Sequence, residues 1–532
     1  MRKPLIAIII MITLVIVGIT IHSNRGPSAS STGGAFSEDI SGLAEAQSSE
    51  MIELKNGDSY HLTASIVKKT IGNSLVKMFA YNRMIPGPLI KVPQGAEVTL
   101  HFTNNTDVDT TVHSHGVRLE NQFDGVPNVT QKEVKQGESF SYKIKFPDAG
   151  VYWYHPHIRE DYTQELGLYG NYLVAPNDTN YWSMVNREVA LFVDDILIEN
   201  GKIVTFSKAS SDHTLMGRFG NTMLVNGETN FTLQAKSGEV IRFYITNAAN
   251  TRTFNISIPN AKMKLVGGDG GKYERETWSD GVILSPSERV IVEVLFANAG
   301  SYQLEHKTPE RTYTLGTVTV VNEKVNPSFE KEFGVLRSNR DIQSEIEASR
   351  PFFSKPADKR LRLTIAMPMA AHIRGMVMQK LHDIYNRFIK GATIVNDDHP
   401  IEWEDRHSFM NAKSNPSMTK WALLDEDTGK KNMEIDWNFK IGEKIKIKIN
   451  NDSKSMHPMQ HPIHIHGQRF LVLSTNGKPN DHLVWKDTVF IPSGDTVELL
   501  VDMANPGEWM AHCHIAEHLE AGMMFQFKVE SI

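Results

Sequence analysis

The strongest constraint on how this chain folds is that it repeats itself. Three stretches, "QGAEVTLHFTN" (94–104), "SGEVIRFYITN" (237–247) and "IGEKIKIKINN" (441–451), share one layout: a glycine, an acidic residue one or two places later, alternating apolar positions, and an asparagine nine places after the glycine. A second element also recurs three times, as "GESFSYKIKFPDAGVYWYHPH" (137–157), "SERVIVEVLFANAGSYQLEHK" (287–307) and "GDTVELLVDMANPGEWMAHCH" (494–514). Period-two alternation marks strands, and Gly, Pro and Asn turns between short strands mark sandwiches or barrels. Two ordered elements in three copies predict an all-β chain of three homologous Greek-key β-sandwich domains. Their expected bounds are 51–180, 181–325 and 360–532, with a linker over 326–359.

The N-terminus reads differently. Arg2 and Lys3 precede "PLIAIIIMITLVIVGITI" (4–21), which is apolar except for two threonines. Basic residues before such a run form a signal peptide or membrane anchor, here 1–22, near the lower length limit for spanning a bilayer. The Ser/Gly-rich "SNRGPSASSTGGAFSED" that follows predicts a flexible linker over 23–50. The body of the protein is therefore expected outside the cytoplasm, either released or anchored through 4–21. A formal charge of −6, spread along 532 residues, favours neither nucleic acid nor an anionic surface as partner. The single cysteine, Cys513, excludes an internal disulfide.

The outer two copies differ from the middle one in chemistry. Five residues after the turn glycine stand His155 in copy one, Glu305 in copy two and His512 in copy three. The outer copies also carry "HSHG" (113–116) and "HPIHIHG" (461–467), where the middle copy has "TFNISIPN" (253–260). The middle domain keeps the fold without the ligands, and the expectation is a spacer.

Eight histidines fall in four His-x-His pairs: His113/His115, His155/His157, His464/His466 and His512/His514. Residues two apart in a strand face the same side, so each pair presents two imidazoles to one place, and neutral imidazole suits copper, zinc or iron. Cys513 lies between His512 and His514, so its sulfur faces the opposite side. His461 differs in parity from His464 and His466, and His518 and Met523 follow Cys513 within reach of a turn. Two sites result, back to back across one strand. Two histidines, a thiolate and an axial methionine make a blue-copper electron-transfer site. Ligand type alone also admits tetrahedral zinc, but zinc leaves unexplained why the thiolate is joined covalently to two ligands of the other cluster. For electrons that join is a path from Cys513 through backbone to His512 or His514.

From about residue 75 to the end, through all four histidine motifs in order, the chain resembles the multicopper oxidase family, which contains laccases, bilirubin oxidases and bacterial cuprous oxidases. The resemblance implies three cupredoxin-like domains and four copper ions. His113 and His464 would bind the type 2 copper; His115, His155 and His514 one type 3 copper; His157, His466 and His512 the other. His461, Cys513 and His518, with Met523 axial, would hold the type 1 copper. It further implies one-electron oxidation of a reductant at type 1 copper and four-electron reduction of O₂ to water at the trinuclear cluster. Asp124 in "NQFDGVP" stands where the family has an acidic proton donor serving the cluster, although "FDGVP" also reads as a turn. Where several bacterial members carry a Glu after the second type 1 histidine, this chain has Leu519, with Glu517 and Glu520 as substitutes for a second proton route.

The reductant is less legible. Met456, Met459 and Met510 lie close to the ligand motifs, and "MPMAAHIRGMVM" (367–378) opens the third domain. Soft thioethers favour Cu(I), which makes Met459 a substrate candidate, whereas Met367 and Met369, expected in a strand, read as core filler. A long Met-rich helical insertion is not expected. An axial Met suits easily oxidised phenols, diamines or metal ions, so laccase-like oxidation of phenolic or aromatic reductants ranks first and dedicated oxidation of Cu(I), Fe(II) or Mn(II) second. A copper carrier without turnover needs only Cys, two His and Met, so eight further imidazoles argue against it. Two-domain nitrite reductases lack the second flanking histidine.

Overall fold

A computed structural model describes residues 34–389 and 399–531; the expected signal or anchor, 1–22, lies outside them. Three two-sheet sandwiches follow one another with the same topology. In the first sheet of each, an opening strand runs parallel to the strand of the first repeat element, which pairs antiparallel with the start of the second. The three strands are Ser59–Ile71, Glu97–Asn105 and Ser139–Lys145 in the first sandwich; Arg187–Ile196, Glu239–Asn247 and Arg289–Phe296 in the second; and Lys359–Ala366, Lys444–Asn451 and Thr496–Asp502 in the third. The facing sheets are built around Gly150–His155, Gly300–Lys307 and Gly507–Cys513. Each sandwich encloses its own apolar core.

The repeated residues now have physical causes. Gly95, Gly238 and Gly442 sit at φ of 84°, 82° and 89° in the turn before the strand, a conformation that costs side-chain-bearing residues. The asparagines nine places on, Asn104, Asn247 and Asn451, are buried and donate Nδ2–H to carbonyls of two crossing segments: Val108 and Val134, Arg252 and Leu284, Met459 and Ile491, all at 2.8–2.9 Å. Each asparagine ties the carbonyls of two crossing segments to the end of its strand.

Several expectations need correction. Residues 34–50, the latter part of the expected flexible linker, pack on the first sandwich: Phe36 stacks on Tyr162 at 3.9 Å, and Glu45 and Gln47 bridge to Lys68 and Met84. The linker 326–359 is partly helical, and Ile342 and Ile346 of helix Arg340–Glu347 bury against Leu471 and Trp485. After Met367, which is buried, the chain forms helix Met369–Ile389 rather than a strand, and Met369 on it is 63% exposed. Apolar residues are frequent in that helix without strict alternation, so period-two reading mistook its start.

Candidate metal centre

Four short strand ends from the outer sandwiches converge. His113–His115 pairs antiparallel with Gly150–His155 so that His113 lies opposite His155, and His461–Ile465 pairs with Gly507–Cys513 so that His464 lies opposite His512. Because each pair of rings shares a strand face, eight imidazoles meet between the first and third sandwiches, all buried. Their ring nitrogens gather within 4.8 Å as His113/His115/His464, His115/His155/His514 and His157/His466/His512.

Outer contacts decide which nitrogen faces inward. The Nδ1–H of His113, His155, His464 and His512 point at the carbonyls of Asp124, Pro156, Asp487 and Cys513, at 2.7–2.9 Å. His115 is reversed, with Nε2 held 3.0 Å from both Asp487 Oδ1 and Thr488 Oγ1. The inward atoms, Nε2 of His113, His155, His157 and His464 and Nδ1 of His115, are buried without a hydrogen-bond partner, as are both ring nitrogens of His514. A cluster of buried, unpartnered imidazole lone pairs is a costly arrangement unless a cation supplies the missing bond. The donor set fits copper ions.

Burial keeps seven of the rings in the neutral form that a ligand needs. It holds His115, His155, His157, His464 and His512 well below the usual imidazole range, helped by neighbouring rings, and takes His514 to about 3 and His466 to about 4. Burial pushes the Asp124 carboxyl up, but the His466 and His113 rings outweigh it and hold the group below the ordinary carboxylate range; His466 Nδ1–H donates to Oδ2 at 2.9 Å. Asp124 also ends the turn: it follows the short helix Asn121–Phe123, and Gly125 at φ 82° would drive a Cβ into the Val112 carbonyl. Turn and site contact are the same residue.

On the other side of Gly507–Cys513, Cys513 Sγ lies 3.5 Å from His461 Nδ1 and 3.7 Å from His518 Nδ1. Ile515 N–H donates to the sulfur at 3.5 Å, and the buried Met523 accepts from Cys513 N–H through its carbonyl at 3.1 Å. Burial pushes the thiol up and takes His461 to about 3, with His518 also well below its usual range. Trp421 lies over His518 at 4.2 Å and edge-on to His461 at 4.8 Å, and its Nε1–H donates to Thr214 O of the middle sandwich. Two sites thus lie back to back, with His512 and His514 facing one and the sulfur between them the other.

Met459 is buried, at 1% exposed, and lines a 370 Å³ cavity with Pro400, Glu402, Ser453 and Ser493. Met216, from the middle sandwich, touches His457 with Sδ 2.7 Å from Nε2, and His457 in turn influences His518. Met456 is partly buried against the same core, and Met510 packs with Val126 and Leu519. Leu519 is therefore a packing residue. Glu517 is buried with its carboxyl near Asn250 and Thr251 and rises to about 7, through burial and then Asp161; Glu520 rises to about 8 for the same reasons. Neither contacts a ring of the cluster in the way Glu160 does, whose Oε1 lies 3.3 Å from His157 Nδ1 and whose carboxyl burial drives well up.

Sequence reasoning missed Glu160, Thr488, Asp487 and Arg289. Glu160 stands three residues after His157 in "HPHIRE", a local signal. The others lie far from their partners in sequence. The middle sandwich is also more than a spacer, since it supplies Arg289 to the cluster's surroundings and Thr214 and Met216 to the sulfur site.

Family models described as multicopper oxidase match residues 64–179, 193–323 and 402–531, together more than half of the chain. A multicopper oxidase of Staphylococcus epidermidis is 26% identical over 465 residues, covering 86% of this chain and 85% of its own. Among solved structures, the laccase-like multicopper oxidase of Ochrobactrum sp. superposes with a TM-score of 0.67 at 21% identity, over 91% of this chain and 100% of its own. The Campylobacter jejuni multicopper oxidase, described as a metallo-oxidase, gives 0.66 at 23% identity, over 93% and 99%.

Proposed function

Since the chain belongs to the multicopper oxidase family and is a copper-dependent oxidase acting with O₂, we propose a complement of four coppers and a named ligand set for each. His113 and His464 hold the type 2 ion; His115, His155 and His514 one type 3 ion; His157, His466 and His512 the other; His461, Cys513, His518 and Met523 the type 1 ion. The observation that carries this is the division of one strand, with the Cys513 sulfur facing His461 and His518 while the flanking rings face the other six. Bound there, copper supplies one-electron oxidation at the sulfur site and four-electron reduction of O₂ to water at the cluster.

The chain's own residues do the rest. The Cys513–His512 and Cys513–His514 backbone segments join the two sites covalently. Asp124 orients His113 and His466 and, held as a carboxylate, relays protons to the cluster. The Nδ1–H contacts to carbonyls fix the tautomers of His113, His155, His464 and His512, and full burial excludes bulk water from the rings.

For the reductant, laccase-like oxidation of phenolic or aromatic molecules comes first. Trp421 and the 210s segment cover the type 1 ligands, so electrons cross a protein layer rather than pass by direct contact. A second reading, metal-ion oxidation, is favoured by the Met216–His457 contact beside His518: a thioether and an imidazole together suit Cu(I). Met459, which lines the 370 Å³ cavity instead, is the other thioether candidate. The apolar run 4–21 supports a place outside the cytoplasm. Oxygen uptake by copper-loaded protein against phenols, Cu(I), Fe(II) and Mn(II) tests the choice. Met216→Leu is expected to slow Cu(I) oxidation more than phenol oxidation; equal effects return Met216 to packing.

A further inference from the structure

The middle sandwich binds no copper, yet one of its side chains reaches the ring shell. Arg289 is buried, and all five of its side-chain N–H groups find acceptors from three sandwiches. Nε donates to Val151 O of the first at 3.3 Å. Nη1 and Nη2 donate to Ser287 O at 3.1 Å and Asp269 O at 3.3 Å of its own. The same two nitrogens grip Asp487 of the third, Nη1 to Oδ1 at 2.7 Å and Nη2 to Oδ2 at 2.5 Å. The Asp269 carboxylate, which accepts from the Arg289 backbone N–H at 2.7 Å and pairs with Lys486 at 3.0 Å, backs the arginine.

Asp487 in turn is bound to two rings. A carboxylate and a carbonyl can only accept, so His115 carries its proton on Nε2 and His464 on Nδ1. Those tautomers leave His115 Nδ1 and His464 Nε2 as the inward lone pairs, and both lack a hydrogen-bond partner. Gly116, directly after His115, leaves the room: a Cβ there would fall 2.3 Å from Asp487 Oδ2 and 2.7 Å from Arg289 Nη2.

We infer that Arg289 is a positioning residue for the trinuclear cluster: by fixing both carboxylate oxygens of Asp487 it sets the tautomer and direction of His115 and anchors the residue whose backbone carbonyl receives His464 Nδ1–H, so the ligand-free middle domain helps build the oxygen-reducing centre. A guanidinium fork matches a carboxylate bidentately and a lysine ammonium does not, which makes Arg289→Lys the informative change. The inference rests on the ligand set proposed above, and the test separates the two.

Copper-loaded full-length protein is compared by type 2 EPR, by copper withdrawal with a chelator, and by the blue band as an internal reference. In Arg289→Lys the blue band stays, the type 2 hyperfine splitting shifts, and cluster copper binds roughly 10–100-fold more weakly. Arg252→Lys is the control, since Arg252 is an equally buried arginine at another junction, bound to Asp195 at 2.6 Å and to Trp403 O at 2.6 Å; its type 2 signal is expected unchanged. If Arg289→Lys does not fold, Asp487→Asn takes its place and is expected to shift the same splitting. A wild-type splitting and affinity in the folded Arg289 or Asp487 variant overturns the inference, as does an equal shift in Arg252→Lys. A wild type with no type 2 signal would overturn the ligand set instead.

Discussion

Substituting Gly116 by alanine tests how tightly the ring shell is packed, because the structure separates backbone strain from steric cost. Gly116 has φ 80°, where alanine costs about 1–2 kcal/mol. Its Cβ would also lie 2.3 Å from Asp487 Oδ2, so the carboxylate must retreat by about 1 Å to reach ordinary contact. Arg289 stands 2.7 Å from the same point, and the retreat opens the buried ion pair. Losing one side of such a pair costs about 3–5 kcal/mol. Gly137 is the matched reference, with φ 81° and nothing within 4 Å of a Cβ, so Gly137→Ala carries only the backbone cost. Calorimetry on copper-loaded protein should therefore show Gly116→Ala melting below Gly137→Ala by roughly 6–20 °C for a domain of this size, with copper lost from the cluster in the first variant alone. Equal melting temperatures, or a full copper complement in both, would refute the reasoning.

Two further outcomes follow from the same geometry. Asp124→Asn removes the carboxylate facing His466 and His113, and is expected to lower oxygen turnover by about 10²–10⁴-fold while single-turnover reduction of the blue site keeps its rate; an equal fall in both would remove Asp124 from proton delivery. Copper binding at the sulfur site should also depend on pH in one way. Burial leaves the Cys513 thiol protonated and His461 and His518 neutral between about pH 5 and 8, so loading releases one proton and affinity rises about tenfold per pH unit. A flat profile, or one twice as steep, contradicts those protonation states.

Much of the site is legible in the chain because it is written in strand parity. A His-x-His pair needs no tertiary information to place two rings on one face, and Cys513 between two such rings has only the opposite face left. The repeated glycines and asparagines mark the fold for an equally local reason: each glycine's turn and each asparagine's crossing recur wherever the topology does. What parity cannot reach is contact between distant residues. Arg289 and Asp487 are 198 positions apart, and neither has a neighbour in sequence that betrays the partner. Met216 meets His457 across 241 positions. Helix Met369–Ile389 is not legible at its start, because Met367 and Met369 suit strand and helix alike. Residues near Leu519 do not show a second carboxyl route, since Glu160, the carboxyl beside His157, comes from another sandwich.

Paired optical and EPR spectra of copper-loaded variants test most directly whether one strand serves two copper sites from its two faces. Cys513→Ser should lose the blue absorption near the red end of the visible and keep the type 2 signal, while His464→Ala should keep the blue colour and lose that signal together with oxygen uptake. A blue Cys513→Ser protein, or a His464→Ala protein that still consumes oxygen at the wild-type rate, would contradict that arrangement.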